Sequence, residues 1–161
     1  MGVLAKLVPA GNVVLDLDVS SKKRVFEHAG MLFEAQSRLP HTQVYDALFA
    51  RERLGSTGLG HGIAVPHGRI KGLKEAAGAF FRMRAPIPFE APDGKPVSLI
   101  FVLLVPEKAN EQHLLMLSKL AEMFSERDTR ALLMDVQDAA QARSLITEWE
   151  PHAPGQHRAT V

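Results

Sequence analysis

Four glycines, Gly55, Gly58, Gly60 and Gly62, lead into the apolar run Ile63-Ala64-Val65, which ends on Pro66-His67-Gly68. A glycine-rich loop lets backbone N–H groups approach an anion closely. An imidazole that titrates near neutral pH can act as nucleophile, base or ligand. The two together point to phosphoryl chemistry. Pro66 fixes φ and drives Val65 toward extended backbone. Gly68 carries no side chain, which reads as an open exit beside the ring of His67. The bland alternative is a satisfied histidine at a strand end, and the Pro/Gly flanks favour the functional one.

Three simpler motifs fail on inspection. Gly55 and Gly60 have the spacing of a Walker-type phosphate loop, but His61 stands where the lysine belongs. A dinucleotide fingerprint needs a third glycine where Ile63 stands. An esterase elbow needs a residue between Gly55 and Ser56 that is not there. Two further residues extend the candidate site. Arg51 sits just upstream of the loop, and a guanidinium forks onto phosphoryl oxygens. Its bland reading is a solvated charge, one of the run Arg51-Glu52-Arg53. His113 falls near the start of a helix capped by Asn110, where exposed N–H donors and a partial positive charge suit phosphate. Its bland reading is a partly buried histidine at a helix start. Histidines 28, 41, 61, 152 and 157 show no metal-ligand spacing, so no metal is expected.

The elements that must position these residues follow from periodicity. Val13 to Leu17 alternates weakly and reads as an edge strand. Ser20 or Ser21 caps a helix with Val25, Phe26, Ala29, Leu32 and Phe33 at helical spacing, broken at Leu39-Pro40. Thr42 starts a second helix carrying Val44, Ala47, Leu48 and Arg51. Ile63 to Val65 and Ala77 to Arg84 read as strands, and Pro92 to Lys95 as a turn. Val97 to Val105 is apolar throughout, hence a strand buried on both faces. Asn110 caps a helix to Ser125, with Leu114, Leu117, Leu120, Ala121 and Phe124 as its core stripe. Short helices follow from Asp128 to about Val136 and from Asp138 to about Trp149. Helices and strands interleave, so the expected fold is α/β, a single domain over 1–150 with a mixed sheet flanked by helices; 151–161 reads as a flexible tail.

The whole chain narrows the classes. It has 161 residues, 19 basic and 18 acidic side chains, and no cysteine. The charges are mixed along the chain, which argues against a nucleic-acid footprint. Without cysteine there is no disulfide frame, thiolate nucleophile or thiolate metal site. No run is long enough to insert in a membrane. The default expectation is a cytoplasmic protein.

These residues resemble the enzyme IIA family of the bacterial phosphoenolpyruvate-dependent phosphotransferase system, in its fructose/mannitol/nitrogen-regulatory class. The likeness is carried by Arg51-Glu52-x-x-Gly55-Ser56-Thr57-Gly58-Leu59-Gly60-x-Gly62-Ile63-Ala64-Val65-Pro66-His67-Gly68, then His113-Leu114-x-x-Leu117, and it implies a mannitol-type IIA fold. It implies His67 as phosphoryl acceptor through Nε2, Arg51 and His113 as assistants, and Gly55, Ser56, Thr57, Gly58 and Gly60 as a phosphoryl-binding loop. It also implies an HPr-like phosphocarrier as donor and no cofactor, because the donor is already a phosphohistidine. The Gly-Ser-Thr-Gly loop and the lack of attached modules look most like the nitrogen-regulatory branch. That branch implies a carrier that is regulatory rather than metabolic, acting on proteins such as kinases or ion transporters. Two alternatives stay open: a sugar-specific IIA component passing phosphate to a IIB protein, and a non-catalytic module binding an anion or peptide. The carrier is expected to dock on Leu59, Ile63 and Met116 around His67.

Overall fold

A computed structural model describes residues 4–108 and 110–151. The expected tail, 151–161, lies outside them apart from Pro151. Strand β6 (Val97–Pro106) is the axis of a six-stranded mixed sheet. On one side it pairs antiparallel with β5 (Ala77–Ile87), which pairs parallel with the edge strand β1 (Val13–Leu17). On the other side it pairs parallel with two short strands laid end to end, β3 (Ile63–Ala64) and β4 (His67–Ile70). Strand β2 (Gly58–Gly60) closes antiparallel onto β3. The mixed sheet covered by helices is the architecture the sequence implies.

Side-chain alternation divides the sheet between two cores. Phe81, Ile100, Val102 and Leu104 face α1 (Lys22–Ser37) and α2 (His41–Glu52). Their neighbours Phe80, Leu99, Phe101 and Leu103 face the opposite way. They pack with residues of α3 (Glu111–Ser125), α4 (Arg127–Asp135) and α5 (Ala139–Thr147). Because β6 is covered on both faces, it must be apolar at every inner position, as it is.

Helix starts follow side-chain caps. Ser21 Oγ accepts from the Arg24 N–H in α1, and Asn110 Oδ1 accepts from Gln112 and His113 in α3. Helix α2 begins at His41, one residue before the expected Thr42. No side chain at its N-cap, Pro40, does the capping; the carboxylate of Glu34, from α1, accepts the His41 N–H at 2.8 Å. The turn that joins β2 to β3 puts Gly60, His61 and Gly62 at φ of 86°, 57° and 80°. That left-handed run is open to glycine and tolerable for one histidine whose N–H is taken by Asp93.

The expected stripe of α3 is only half right. Leu120 and Phe124 are buried, with Met123 beside them. Leu114 and Ala121 are exposed and Leu117 is half-buried. The helix carries two apolar stripes, and the second one faces the candidate site.

Candidate functional site

The site is built where the edge of the sheet breaks. Strands β3 and β4 would be one strand along β6 if Val65-Pro66 did not interrupt them. Pro66 has no N–H to give the ladder, though its carbonyl still accepts from Leu103. The Val65 N–H turns to the carbonyl of Thr57, and the Val65 carbonyl is left for His67. His67 Nδ1 lies 3.0 Å from that oxygen. A carbonyl can only accept, so Nδ1 carries the proton and Nε2 is the bare nitrogen. Arg51 Nε–H donates to Nε2 at 3.2 Å, and Arg51 Nη1 donates to the Gly55 carbonyl at 2.8 Å.

Burial holds the pKa of His67 below the usual histidine range. The bond to the Val65 carbonyl pulls the other way, the Arg51 charge lowers it further, and Glu52 raises it. The balance favours the neutral ring, whose Nε2 lone pair is held by Arg51.

Gly68 serves a second purpose beside the one its sequence suggests. A Cβ there would meet the backbone and Cβ of Ala47 at 3.0–3.1 Å. The missing side chain lets β4 pack hard against α2, and Gly68 and Ala47 both line the hollow beside His67. Arg51 is one turn further along α2 than Ala47, so this contact sets the distance between guanidinium and imidazole.

His113 reaches the same place from the other layer. Its Nδ1 accepts the Asn110 N–H at 3.0 Å, completing a capping box with the Asn110 side chain. A backbone N–H can only donate, so Nδ1 is the bare nitrogen and the hydrogen sits on Nε2. Arg51, His67 and His113 line one hollow of about 490 Å³, walled by Leu54, Leu114 and Leu117. A second hollow on the other side of Arg51 and His67 is lined by Ser56, Thr57, Gly58, Leu59 and Leu117. Gly55 and Gly60 line neither.

The glycine loop is held from within. The Gly55 N–H donates to the Glu52 carbonyl, and the Gly58 N–H donates to Ser56 Oγ. Ser56 Oγ–H in turn donates to the Phe89 carbonyl. The Thr57 N–H and hydroxyl both donate to the carboxylate of Glu52, the hydroxyl at 2.6 Å. These amides are therefore committed to loop shape rather than turned toward a ligand. Glu52 is the residue that sequence reasoning missed. It is buried, and Lys22 Nζ pairs with it at 2.8 Å while lying over the ring of Phe89. Flanking arginines made it look solvated. The signal was there in spacing: Val44, Leu48 and Glu52 form the buried stripe of α2.

The expected docking residues divide. Leu59 is 45% exposed, but Ile63 is buried in the sheet and cannot meet a partner. Met116 is half-buried against the core. The exposed apolar residues that line the two hollows are instead Leu54, 83% exposed, with Leu59 and Leu114. Among the described residues no three His, Asp or Glu side chains gather as a metal site, and no helix is long and apolar enough to cross a membrane.

Comparison with known proteins adds an independent line. Residues 6–149 match the family model described as phosphoenolpyruvate-dependent sugar phosphotransferase system, EIIA 2. The crystal structure of nitrogen regulatory protein IIA-Ntr from Neisseria meningitidis superposes with a TM-score of 0.87 at 55% identity, covering 91% of this chain and all of that one. A nitrogen regulatory protein of Pseudomonas aeruginosa is 38% identical over 152 residues, 90% of this chain and 95% of its own length. The crystal structure of IIA mannitol from Escherichia coli shares the fold, with a TM-score of 0.71 at 21% identity over 86% of this chain and 97% of that one.

Proposed function

This chain belongs to the EIIA 2 family of the phosphoenolpyruvate-dependent sugar phosphotransferase system, and from that membership we propose a phosphoryl carrier whose state regulates other proteins. His67 is the acceptor. The observation that carries this reading is the opposed pair of bonds on its ring: Nδ1–H to the Val65 carbonyl, Nε2 toward Arg51.

The step balances simply. The lone pair of His67 Nε2 forms a bond to the phosphorus of a phosphohistidine on an HPr-like carrier. The carrier's P–N bond breaks and its electron pair returns to the carrier's ring. As His67 Nε2 bonds to phosphorus its ring becomes more positive, and the Val65 carbonyl on Nδ1–H is placed to stabilise that charge. Arg51 Nε–H occupies the Nε2 lone pair at rest, so it must swing off before attack. Its new acceptors are the phosphoryl oxygens. His113 Nε2–H donates to the same group from across the hollow. This is charge stabilisation and alignment, which is most of what phosphoryl transfer requires of a protein. The Ser56–Gly58 stretch of the loop walls the second hollow and keeps Arg51 in place through Gly55. The apolar rim of Leu54, Leu59 and Leu114 is the docking surface for the carrier.

The nitrogen regulatory relatives support a regulatory role, which we assign to the cytoplasm. Phosphorylation puts about two negative charges at the centre of an apolar rim, and a kinase or ion transporter that docks on the rim reads the change.

The test is incubation with phosphoenolpyruvate, enzyme I and an HPr-like carrier. The expected result is a gain of one phosphoryl mass, labile to acid and stable to base, absent in His67→Ala. No gain in the wild type would leave a binding module. Rapid onward flow of label to a IIB protein, with sugar uptake dependent on His67, would make the chain a sugar-transport component instead.

A further inference from the structure

We propose that Arg69 is a second phosphoryl-recognition residue, supplying the cation that balances the charge Arg51 leaves uncompensated. The proposal rests on His67 as acceptor. Strand alternation places Arg69 on the same side of β4 as His67, with Gly68 between them turned toward Ala47. The register is held by β6, where His67 stands opposite Leu103 and Arg69 opposite Val105. Both residues line the hollow that also contains Arg51 and His113.

The charges in that hollow are unequal to the load. A phosphohistidine brings about two negative charges near neutral pH. Arg51 brings one positive charge. The side chains lining the hollow include no carboxylate. Glu52, next to Arg51 in sequence, is spent on Thr57 and Lys22. His113 contributes a hydrogen-bond donor, since its Nδ1 is occupied by the Asn110 N–H. Arg69 is the remaining cation lining the hollow, and its side chain makes no hydrogen bond or ion pair with the described residues. Arg51, by contrast, is tied to both His67 and Gly55. Residues two apart on a strand are separated by about 6.6 Å. An extended arginine spans that distance, so the Arg69 guanidinium reaches a phosphoryl group on Nε2 without moving the backbone.

The experiment loads the wild type, Arg69→Gln and Arg69→Lys through phosphoenolpyruvate, enzyme I and an HPr-like carrier. The ³¹P resonance of the phosphohistidine is then followed against pH. A nearby cation favours the dianion, so Arg69→Gln should raise the phosphoryl pKa by roughly half a unit, and Arg69→Lys should restore most of it. The equilibrium share of phosphoryl on His67 against the carrier should fall about two- to fivefold in Arg69→Gln, the size of an exposed charge pair. That difference should vanish in roughly 1 M salt. Arg69 is exposed, so melting curves should coincide. A ³¹P titration in Arg69→Gln that superposes on the wild type would overturn the proposal and leave His67 as acceptor intact. Absence of label at His67 in the wild type would overturn the acceptor reading, and this inference with it.

Discussion

Replacing Gly68 with alanine should damage the site from behind. The added Cβ would sit 3.0 Å from the Ala47 carbonyl carbon and Cβ and 3.1 Å from its oxygen. Ordinary contact begins at 3.4 Å, and two of the three atoms are backbone. Strand and helix must therefore separate by about 0.4 Å, the difference between 3.4 and 3.0 Å, since neither is a flexible side chain. The Arg51–His67 bond, 3.2 Å at rest, would stretch beyond hydrogen-bond length. Overpacking of this kind costs roughly 1–3 kcal/mol, and at this size about 2–4 °C in Tm per kcal/mol. A misplacement of 1 Å can cost about a hundredfold in rate, so a displacement of about 0.4 Å should cost roughly five- to tenfold. With Arg51 withdrawn, the His67 pKa should also move up toward the usual range. The assays are thermal melting, rapid-quench transfer from a loaded HPr-like carrier, and the pH titration of the His67 ring by NMR. Adding Ala47→Gly should recover only part of the loss, because the Ala47 carbonyl remains. A Gly68→Ala protein with wild-type melting and wild-type transfer would show that this contact does not position Arg51.

Arg51→Ala should raise the pKa of His67, because the arginine charge lowers it; an unchanged or lower value in a ring titration would contradict the geometry. Burial lowers His28 as well as His67, so the unfolded chain binds more protons near the ordinary histidine value of 6.5. Stability from these rings is complete above that pH and is lost as pH falls toward the folded values. Urea midpoints should decline between about pH 7 and pH 5, with a shallower slope in His67→Gln. Glu52→Gln should cost about 3 kcal/mol in urea unfolding, the low end for breaking a buried pair, since Lys22 can turn to Glu90; adding Lys22→Met should recover part of it. Leu54→Ser and Leu114→Ser change exposed positions. They should raise KM for the carrier while leaving melting unchanged; effects on kcat alone would place docking elsewhere.

Much of the frame was legible where local signals and tertiary needs agree. The Ser21 and Asn110 caps, the apolar β6 and the Pro92–Lys95 turn all follow from residue types alone. Strands β2 and β4 were not legible, because Gly58–Gly60 and His67–Ile70 carry glycines that read as loop. Only pairing with β3 and β6 makes them strands. On α3 the period was right but one helix held two apolar faces, and periodicity does not say which meets the sheet. Ile63 and Glu52 failed for opposite reasons. Ile63 was judged by nearness in sequence to His67, whereas the pleat turns it inward. Glu52 was judged by its charged neighbours, whereas helical phase puts it in the core. Gly68 does line the hollow beside His67, but its close packing on α2 has no signature in the sequence. The triad Arg51, His67 and His113 was named from the sequence; the Val65 carbonyl that orients the ring could not be, since a main-chain oxygen has no letter of its own.

That oxygen gives the acceptor an unusual kind of durability. The group that decides which ring nitrogen stays bare is part of the main chain at Val65, two residues away from His67. A side-chain exchange that keeps the chain path leaves it where it is. Only an altered chain path, such as the loss of Pro66, removes it. Arg51 and Arg69 belong to the other category, open to replacement codon by codon. Substitutions at Arg51 or Arg69 would thus change how strongly a phosphoryl group is held without changing which ring nitrogen is free to carry it.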